Sequence, residues 1–456
     1  MKLDVIKKII QRIERPVYLQ LRGWYDSKIY EDTCRERTKW SVEKNIEQQK
    51  IDLYETIIYS IHNIPYYREI ANKKGINPSK ETIFSDIQKF PILTKDIIRE
   101  HFDELKSELP GVAVHTNTSG GSTGVPVQFL QDHYFRMKSL GLIFDEFSGY
   151  EFGDKLIKLW GSERDIIQGS DKFRNKIANL LLYRQKLLNS FRMSEQDMGI
   201  YVKKINKFRP KYMIAYVQSV YELAKFIEQK GIFIHKMRGI ITSAGTLYDD
   251  FRKKIESVFQ CPVYNRYGSR EVGQIAMECS KHEGLHLNIF NKYIEILNSQ
   301  NEAVYDGQMG RIIITTTNNF IMPLIRFDIG DMGIPTSRVC SCGIGLPLLA
   351  EVKGRTVNVF RTKNNTLIDG EYFTHLFYRL DFIKQFQIIQ QDYSIIDVHY
   401  VLSYQIEEDK LNAIFDDMRR KIWLVMGNDC QVRFVKMHEI IPSASGKYIF
   451  TISNLS

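Results

Sequence analysis

The sequence predicts an α/β protein in which a large layered portion is followed by a small α+β portion. From Lys155 to Gln260, apolar runs of strand length alternate with helical stretches and tight turns, the pattern of sheets covered by helices. Beyond Leu367 the order changes to a helical Glu371–Leu380, strand-like runs across Phe386–Tyr404, a helix over Glu407–Met426 and a strand over Gln431–Val435. The length of 456 residues, with 43% hydrophobic and 26% charged residues, supports more than one core in a globular protein.

Composition narrows the function classes. The net charge of +9 suits an acidic ligand such as ATP or CoA, and a scattered solvated surface accounts for it equally well. There is no block of Lys and Arg and no nucleic-acid module, so nucleic acid is not an expected partner. Six cysteines are too few for a disulfide scaffold, and the expectation is a reduced, cytoplasmic protein. No apolar run reaches the roughly 18 residues of a membrane span. Asp4, Lys7 and Lys8 interrupt the N-terminal apolar run, so a signal peptide is not expected there. Met1–Arg15 reads as a basic amphipathic helix with Leu3, Ile6, Ile10 and Ile13 on one face, expected to dock on the protein's own body. No repeat of 20–50 residues is present, and nothing indicates the oligomeric state.

Taken in order, Trp40–Ile70 is helical and broken at Pro65, and a second helical run starts at Asp96 after Phe90-Pro91-Ile92-Leu93-Thr94-Lys95. The stretch Thr118-Ser119-Gly120-Gly121-Ser122-Thr123-Gly124-Val125-Pro126 comes next, then a strand over Val127–Leu130. Glycines allow close backbone approach and positive φ, the hydroxyls add donors, and successive N–H groups form an anion nest, so a polyphosphate is the natural ligand. It is not a Walker-type loop, because Val125 follows Gly124 where a Lys is needed; a cation must come from elsewhere. Lys155–Trp160 is β-like, Asp171–Gln229 mostly helical with a buried strand at Tyr212–Tyr216, Gly239–Gly245 a strand into a tight turn, and Asp249–Gln260 a helix.

Three further stretches carry chemistry. Val263-Tyr264-Asn265-Arg266-Tyr267-Gly268-Ser269-Arg270-Glu271 reads as a short strand entering a loop, at the carboxyl end of a parallel strand where α/β folds place ligands. Glu271 is a candidate Mg²⁺ ligand, and Tyr267 a candidate to stack on a purine. Cys279, one of His282 and His286, Cys340 and Cys342 would supply four N/S ligands to a structural Zn²⁺; the spacing does not choose between the histidines. Leu324–Asp331 reads as a strand and a loop with Asp328 and Asp331 flanking Gly330. A carboxylate there can accept two hydrogen bonds from ribose hydroxyls.

The Gly-rich stretch, Pro65-Tyr66-Tyr67-Arg68, the Phe90–Lys95 phrase, Tyr267–Glu271, Asp328–Asp331, Gly354-Arg355 and Pro442–Lys447 occur in an order that resembles the adenylate-forming enzymes. The likeness is to the phenylacetate–CoA ligase branch, and especially to its capsular-polysaccharide members. It covers about Trp40 to the C-terminus, and its motifs are specific as an ordered set. The resemblance implies a large adenylation domain over 1–354 and a small mobile domain over 355–456. It implies nucleotide contacts at Thr118, Ser119, Gly120, Gly121, Ser122, Thr123, Gly124, Tyr267, Gly268 and Ser269, Mg²⁺ at Glu271 and ribose at Asp331. It also implies a nucleotide contact at Arg355, a hinge at Asn358, where the family usually has Asp, and a catalytic Lys447 on the small domain. Several members carry a structural Zn²⁺ at a place similar to the Cys/His cluster.

The expected reaction joins a small carboxylic acid to ATP as acyl-AMP with release of pyrophosphate, then passes the acyl group to CoA, another thiol or an amine. An amide ligase or adenylyl transferase of capsule or O-antigen synthesis remains open, as does a non-catalytic nucleotide-binding protein of a glycan pathway. The acid is not legible. Its pocket is expected near Trp160, Tyr216 and Ser243-Ala244-Gly245.

Overall fold

The computed structural model describes residues 25–118, 127–133, 135, 140–161, 184–353, 359–364, 366–377, 380, 382–440 and 450–455. The expected N-terminal amphipathic helix, Ser119–Gly124, Arg355, Asn358 and Lys447 lie outside them. The chain forms two compact units. The first takes the described residues of Met1–Ser119, Val127–Glu151 and Tyr264–Gly354; the second takes those of Phe152–Val263 and Arg355–Ser456. Phe152–Val263 thus groups with Arg355–Ser456 rather than with the rest of 1–354.

In the first unit, helix Val42–Asn63 begins at Ser41, whose side chain accepts from Lys44 N. Its buried positions Asn45, Gln49, Leu53, Thr56, Ile57 and Ser60 recur at helical spacing. Burying Leu53 and Ile57 stabilises the unit by about 1.5–3 kcal/mol each. Pro65 breaks this helix and opens the next, Pro65–Lys74, at a position that needs no N–H. The helices cover an antiparallel sheet in the order Lys292–Leu297, Gly310–Thr316, Phe327–Thr336, Leu348–Lys353, Leu285–Leu287, Gly273–Glu278, Val263–Ser269. The short segment Leu93-Thr94 is fastened to this sheet: Leu93 N–H donates to Arg326 O at 2.9 Å, and Leu93 O accepts from Asp328 N at 3.0 Å. A separate hairpin pairs Val114–Thr118 with Gln128–Asp132.

In the second unit, four parallel strands lie in the order Gly239–Ser243, Tyr212–Tyr216, Leu156–Trp160, Gln185–Asn189. Helices Glu195–Phe208, Val217–Lys230 and Asp249–Phe259 fill the connections, as the alternation predicted. Gln185–Asn189 and Arg192–Met193 are strands inside a stretch expected to be mostly helical. Leu188 and Leu159 are buried in the same core, which the short run's alternation did not reveal. The C-terminal part builds its own sheet, Gln431–Lys436, Ile395–Leu402, Ile383–Asp392, Thr451–Ser453, with helix Glu408–Met426. Its core continues through Phe360, Tyr372, Phe373 and Phe386 to Phe191 and Tyr216. No helix among the described residues is long and apolar enough to cross a membrane.

Candidate nucleotide and metal sites

The hairpin Val114–Thr118/Gln128–Asp132 brackets the Gly-rich stretch. Thr118 is buried and sits opposite Gln128 in register, so the chain leaves and re-enters the hairpin at paired positions. Its far strand is anchored by Asp132, which is fully buried. That carboxylate accepts from the N–H groups of Phe135 at 2.8 Å, Phe320 at 2.5 Å and Ile321 at 3.1 Å. The neighbouring Gln131 side chain donates to Arg270 O at 2.8 Å and reaches Glu271 O at 3.4 Å. The base of the Gly-rich stretch is thereby tied to the second motif.

That motif differs from the expected loop. Tyr267, Gly268 and Ser269 are the last residues of strand Val263–Ser269, and the next strand, Gly273–Glu278, returns antiparallel to it. Glu271 therefore lies on a hairpin turn. A side chain at Gly268 would sit 2.8 Å from Gly273 O, so the hairpin itself requires glycine there. Ser269 Oγ accepts from Val272 N at 3.3 Å, closing the turn. Glu271 is 8% exposed, with Lys95 Nζ 3.7 Å from its Oε1.

Asp331 also lies within a strand, Phe327–Thr336, where a loop was expected. Gly330 does turn the backbone, at φ 84°, but the ladder continues past it, with Met332 paired to Lys353. Tyr267 OH donates to Asp331 Oδ2 at 2.8 Å. The two strands lie four places apart in the sheet order. A flat sheet would separate them by roughly 19 Å at about 4.8 Å per strand. This sheet curls, and the curl brings the two motifs together.

Cys279, His286, Cys340 and Cys342 converge at the end of the same sheet, their ligand atoms all within 4.8 Å of one another. Cys279 Sγ lies 3.5 Å from Cys340 Sγ, and Cys342 Sγ 3.3 Å from His286 Nε2. Tetrahedral edges around a metal with bonds of about 2.3 Å are roughly 3.8 Å. Lys281 N donates to Cys279 Sγ and Ile344 N to Cys342 Sγ, as suits turns that wrap sulfur around a cation. Burial pushes the Cys279 and Cys340 thiols up and the His286 imidazole down to about 4. That shift favours the neutral imidazole, the form able to ligate a metal. His282 is outside the cluster: its Nδ1 is 3.2 Å from Glu278 Oε2 and its ring stacks on Tyr264 at 5.1 Å. Its φ of 52° belongs to the turn between strand Gly273–Glu278, which Cys279 follows, and strand Leu285–Leu287, which carries His286. Of the two histidines that the spacing left open, His286 is the one that lies with the three cysteines.

Within the second unit, Trp160 and Tyr216 pack ring to ring at 4.3 Å, and Tyr216 is buried. Sequence reasoning assigned no functional part to Lys95, Gln131 or Asp132. Lys95 opens helix Lys95–Glu100, one residue before the helical run expected from Asp96.

The C-terminal residues 360–454 match the family model described as the CapK C-terminal domain. Over 99% of this chain and 97% of its counterpart, the sequence is 24% identical to protein CapK of Staphylococcus aureus. It is 24% identical to phenylacetate-coenzyme A ligase of Pseudomonas putida over 60% of this chain and 63% of that protein. It is 21% identical to the Thermus thermophilus enzyme of that name over 69% and 73%. Among solved structures, a 2-hydroxyisobutyryl-CoA ligase in complex with 2-HIB-AMP and CoA aligns over 92% of both chains, with a TM-score of 0.58 and 16% identity.

Proposed function

We propose that this chain, a member of the adenylate-forming superfamily in the branch of CapK, activates a carboxylic acid with ATP. The acid's carboxylate attacks the α-phosphorus, an acyl-AMP forms and pyrophosphate leaves. A thiol such as CoA, or an amine, then attacks the acyl carbon and AMP leaves. The observation that carries this reading is the meeting of Tyr267 and Asp331 on one curled sheet. It offers an aromatic face for a base and a carboxylate for a ribose within one side chain's reach.

The protein's part in such a reaction is positioning and charge neutralisation. Backbone N–H groups of Ser119–Gly124 would hold the phosphates, and Asp331 would hold the ribose hydroxyls. Glu271 supplies a hard carboxylate oxygen and would share a Mg²⁺ with phosphate oxygens, which neutralises charge on the leaving pyrophosphate. Arg355 would contact the nucleotide, and Asn358 would serve as the hinge of a small domain over 355–456 that delivers Lys447. Cys279, His286, Cys340 and Cys342 match the donor set of a closed Zn²⁺ site, whose part would be to fasten the edge of the sheet. A cytoplasmic location fits this need for ATP and the free cysteines.

A second reading for the acceptor rests on coverage. CapK aligns with 99% of the chain, whereas the Pseudomonas ligase aligns with 60%. An acceptor other than CoA, such as a saccharide amine or hydroxyl of capsule synthesis, fits that pattern. Pyrophosphate release measured across aryl, fatty, amino and sugar acids tests the first step. Repeating it with CoA and with amino sugars separates the acceptors. Release with none of the acids, despite ATP binding, would leave a nucleotide-binding protein without ligase activity.

A further inference from the structure

We infer that the amino-terminal edge of the parallel sheet in the second unit is a docking surface for an anionic lipid bilayer. Each of the four strands is preceded by a basic residue: Lys155 before Leu156–Trp160, Arg184 before Gln185–Asn189, Lys211 before Tyr212–Tyr216 and Arg238 before Gly239–Ser243. Backbone bonds hold these starts side by side. Leu156 N donates to Arg184 O at 3.1 Å, Lys211 N to Lys155 O at 2.8 Å and Arg238 N to Lys211 O at 2.7 Å. Lys186 and Arg209 join them: Lys155 Nζ and Lys186 Nζ lie 5.3 and 4.7 Å from the centre of the Phe208 ring, and Arg209 is the next residue. Strands about 4.8 Å apart spread the four starts over roughly 14 Å. This edge is opposite the carboxyl ends of the strands, where α/β sheets place small ligands, so the proposed acid and nucleotide do not account for it.

Little within the unit neutralises this edge. Asp154 Oδ1 takes Lys211 Nζ at 2.8 Å. Lys155 Nζ and Arg184 Nη1 donate instead to carbonyls, Phe208 O at 3.1 Å and Gly153 O at 2.8 Å. Among the described residues no carboxylate pairs with Lys155, Arg184, Lys186, Arg209 or Arg238. Burial, and then the charges of Arg184, Lys186 and Arg209, push the Lys155 ammonium below its ordinary value. The like charges are thus close enough to repel, and an external anion relieves that cost. Phe233 supplies an apolar element at the rim. Its ring is 76% exposed, and its loop is pinned to the same edge: Asn206 Nδ2 donates to Phe233 O at 2.8 Å, and Asn206 Oδ1 accepts from His235 N at 2.6 Å. A row of cations with an exposed aromatic beside it suits anionic headgroups, with the ring entering at their boundary. The cations come from segments far apart in sequence, so no charge run announces the edge.

The test is co-sedimentation of the full chain with vesicles of phosphatidylcholine alone and of phosphatidylcholine mixed with phosphatidylglycerol, at low and high salt. Wild type should bind the mixed vesicles at low salt, leave them at high salt and ignore phosphatidylcholine. A cation near an anionic surface is worth about fivefold in partitioning, so Lys186→Gln/Arg209→Gln/Arg238→Gln should weaken binding about a hundredfold. Phe233→Ser should weaken it about tenfold and leave its salt dependence unchanged. Lys39→Gln/Lys73→Gln/Arg420→Gln removes the same charge from exposed positions elsewhere and should weaken it far less. Equal losses in the two triple variants would show that net charge, not this edge, drives binding. Wild type that stays in solution with the mixed vesicles at low salt overturns the inference. So does wild type that ignores them and binds a single-stranded oligonucleotide, which would assign the edge to nucleic acid. Should the first triple variant fail to fold, Lys186→Gln/Arg238→Gln, expected to lose about thirtyfold, is held to the same outcomes. Failure here leaves the ligase reading standing, because no step of that reaction enters the measurement.

Discussion

The phenol of Tyr267 donates a 2.8 Å hydrogen bond to Asp331 across the curled sheet of the first unit. On the proposed reading Tyr267 would position that carboxylate as well as offer a face for a base. Asp331→Ala should weaken ATP binding about tenfold or more, the value of a hydrogen bond to a charged group. Tyr267→Phe keeps the ring and loses the donor, so it should cost less than Asp331→Ala. Combining the two should cost little beyond Asp331→Ala alone, because both act through one contact. Calorimetry with ATP measures all three. Fully additive losses would mean the two residues bind the nucleotide independently.

Much of this arrangement was legible in the sequence, and the remainder was not for identifiable reasons. Strand and helix periodicity gave the α/β layers of Phe152–Val263, and the ordered motifs pointed to Tyr267, Glu271 and Asp331. The motifs could not tell strand from loop, because Gly268 and Gly330 look like turn residues. Gly268 is instead demanded by close backbone approach inside a hairpin, and Gly330 by a turn of φ 84° within a strand. The choice of His286 over His282 depends on which one follows the tight turn into strand Leu285–Leu287, and spacing does not encode that. Lys95 and Gln131 gain their places only through contacts between distant segments.

The Cys/His cluster predicts about one Zn²⁺ per chain by elemental analysis. Cys342→Ser and His286→Ala should each lower the metal content and the melting temperature, while His282→Ala should leave the metal content unchanged. Removing a chelated metal with all ligands intact should destabilise the first unit, since binding free energy is folding free energy at such sites. Fully stable protein that purifies without metal would exclude a structural zinc.

Lys292 predicts a pH dependence unrelated to nucleotide. Its ammonium is fully buried, donates to Asn291 Oδ1 at 2.6 Å, and is pushed down to about 7 by loss of solvation. Between about pH 7 and the ordinary lysine value of 10.5 the unfolded chain binds this proton and the folded chain does not. Stability from this group therefore rises with pH across that window, by up to a few kcal/mol. Thermal unfolding from pH 6.5 to 9.5 should show the rise in wild type and a flatter profile in Lys292→Met. Identical profiles would show that Lys292 stays charged in the folded protein.

Lys447 separates the two proposed half-reactions. Removing a preorganised cation should slow acyl-AMP formation by about 10²–10³, while acyl transfer from supplied acyl-AMP should be nearly unchanged in Lys447→Ala. Rapid-quench measurement of each step gives the answer. Equal losses in both steps would assign Lys447 a structural part.

Acid-dependent exchange of labelled pyrophosphate into ATP tests the central claim most directly, because it requires reversible acyl-AMP formation at this site and needs no acceptor. The account predicts exchange with at least one class of carboxylic acid, none without acid, and a severe loss in Glu271→Gln. Exchange that proceeds equally without any acid, or that never appears with any acid although ATP binds, would contradict it.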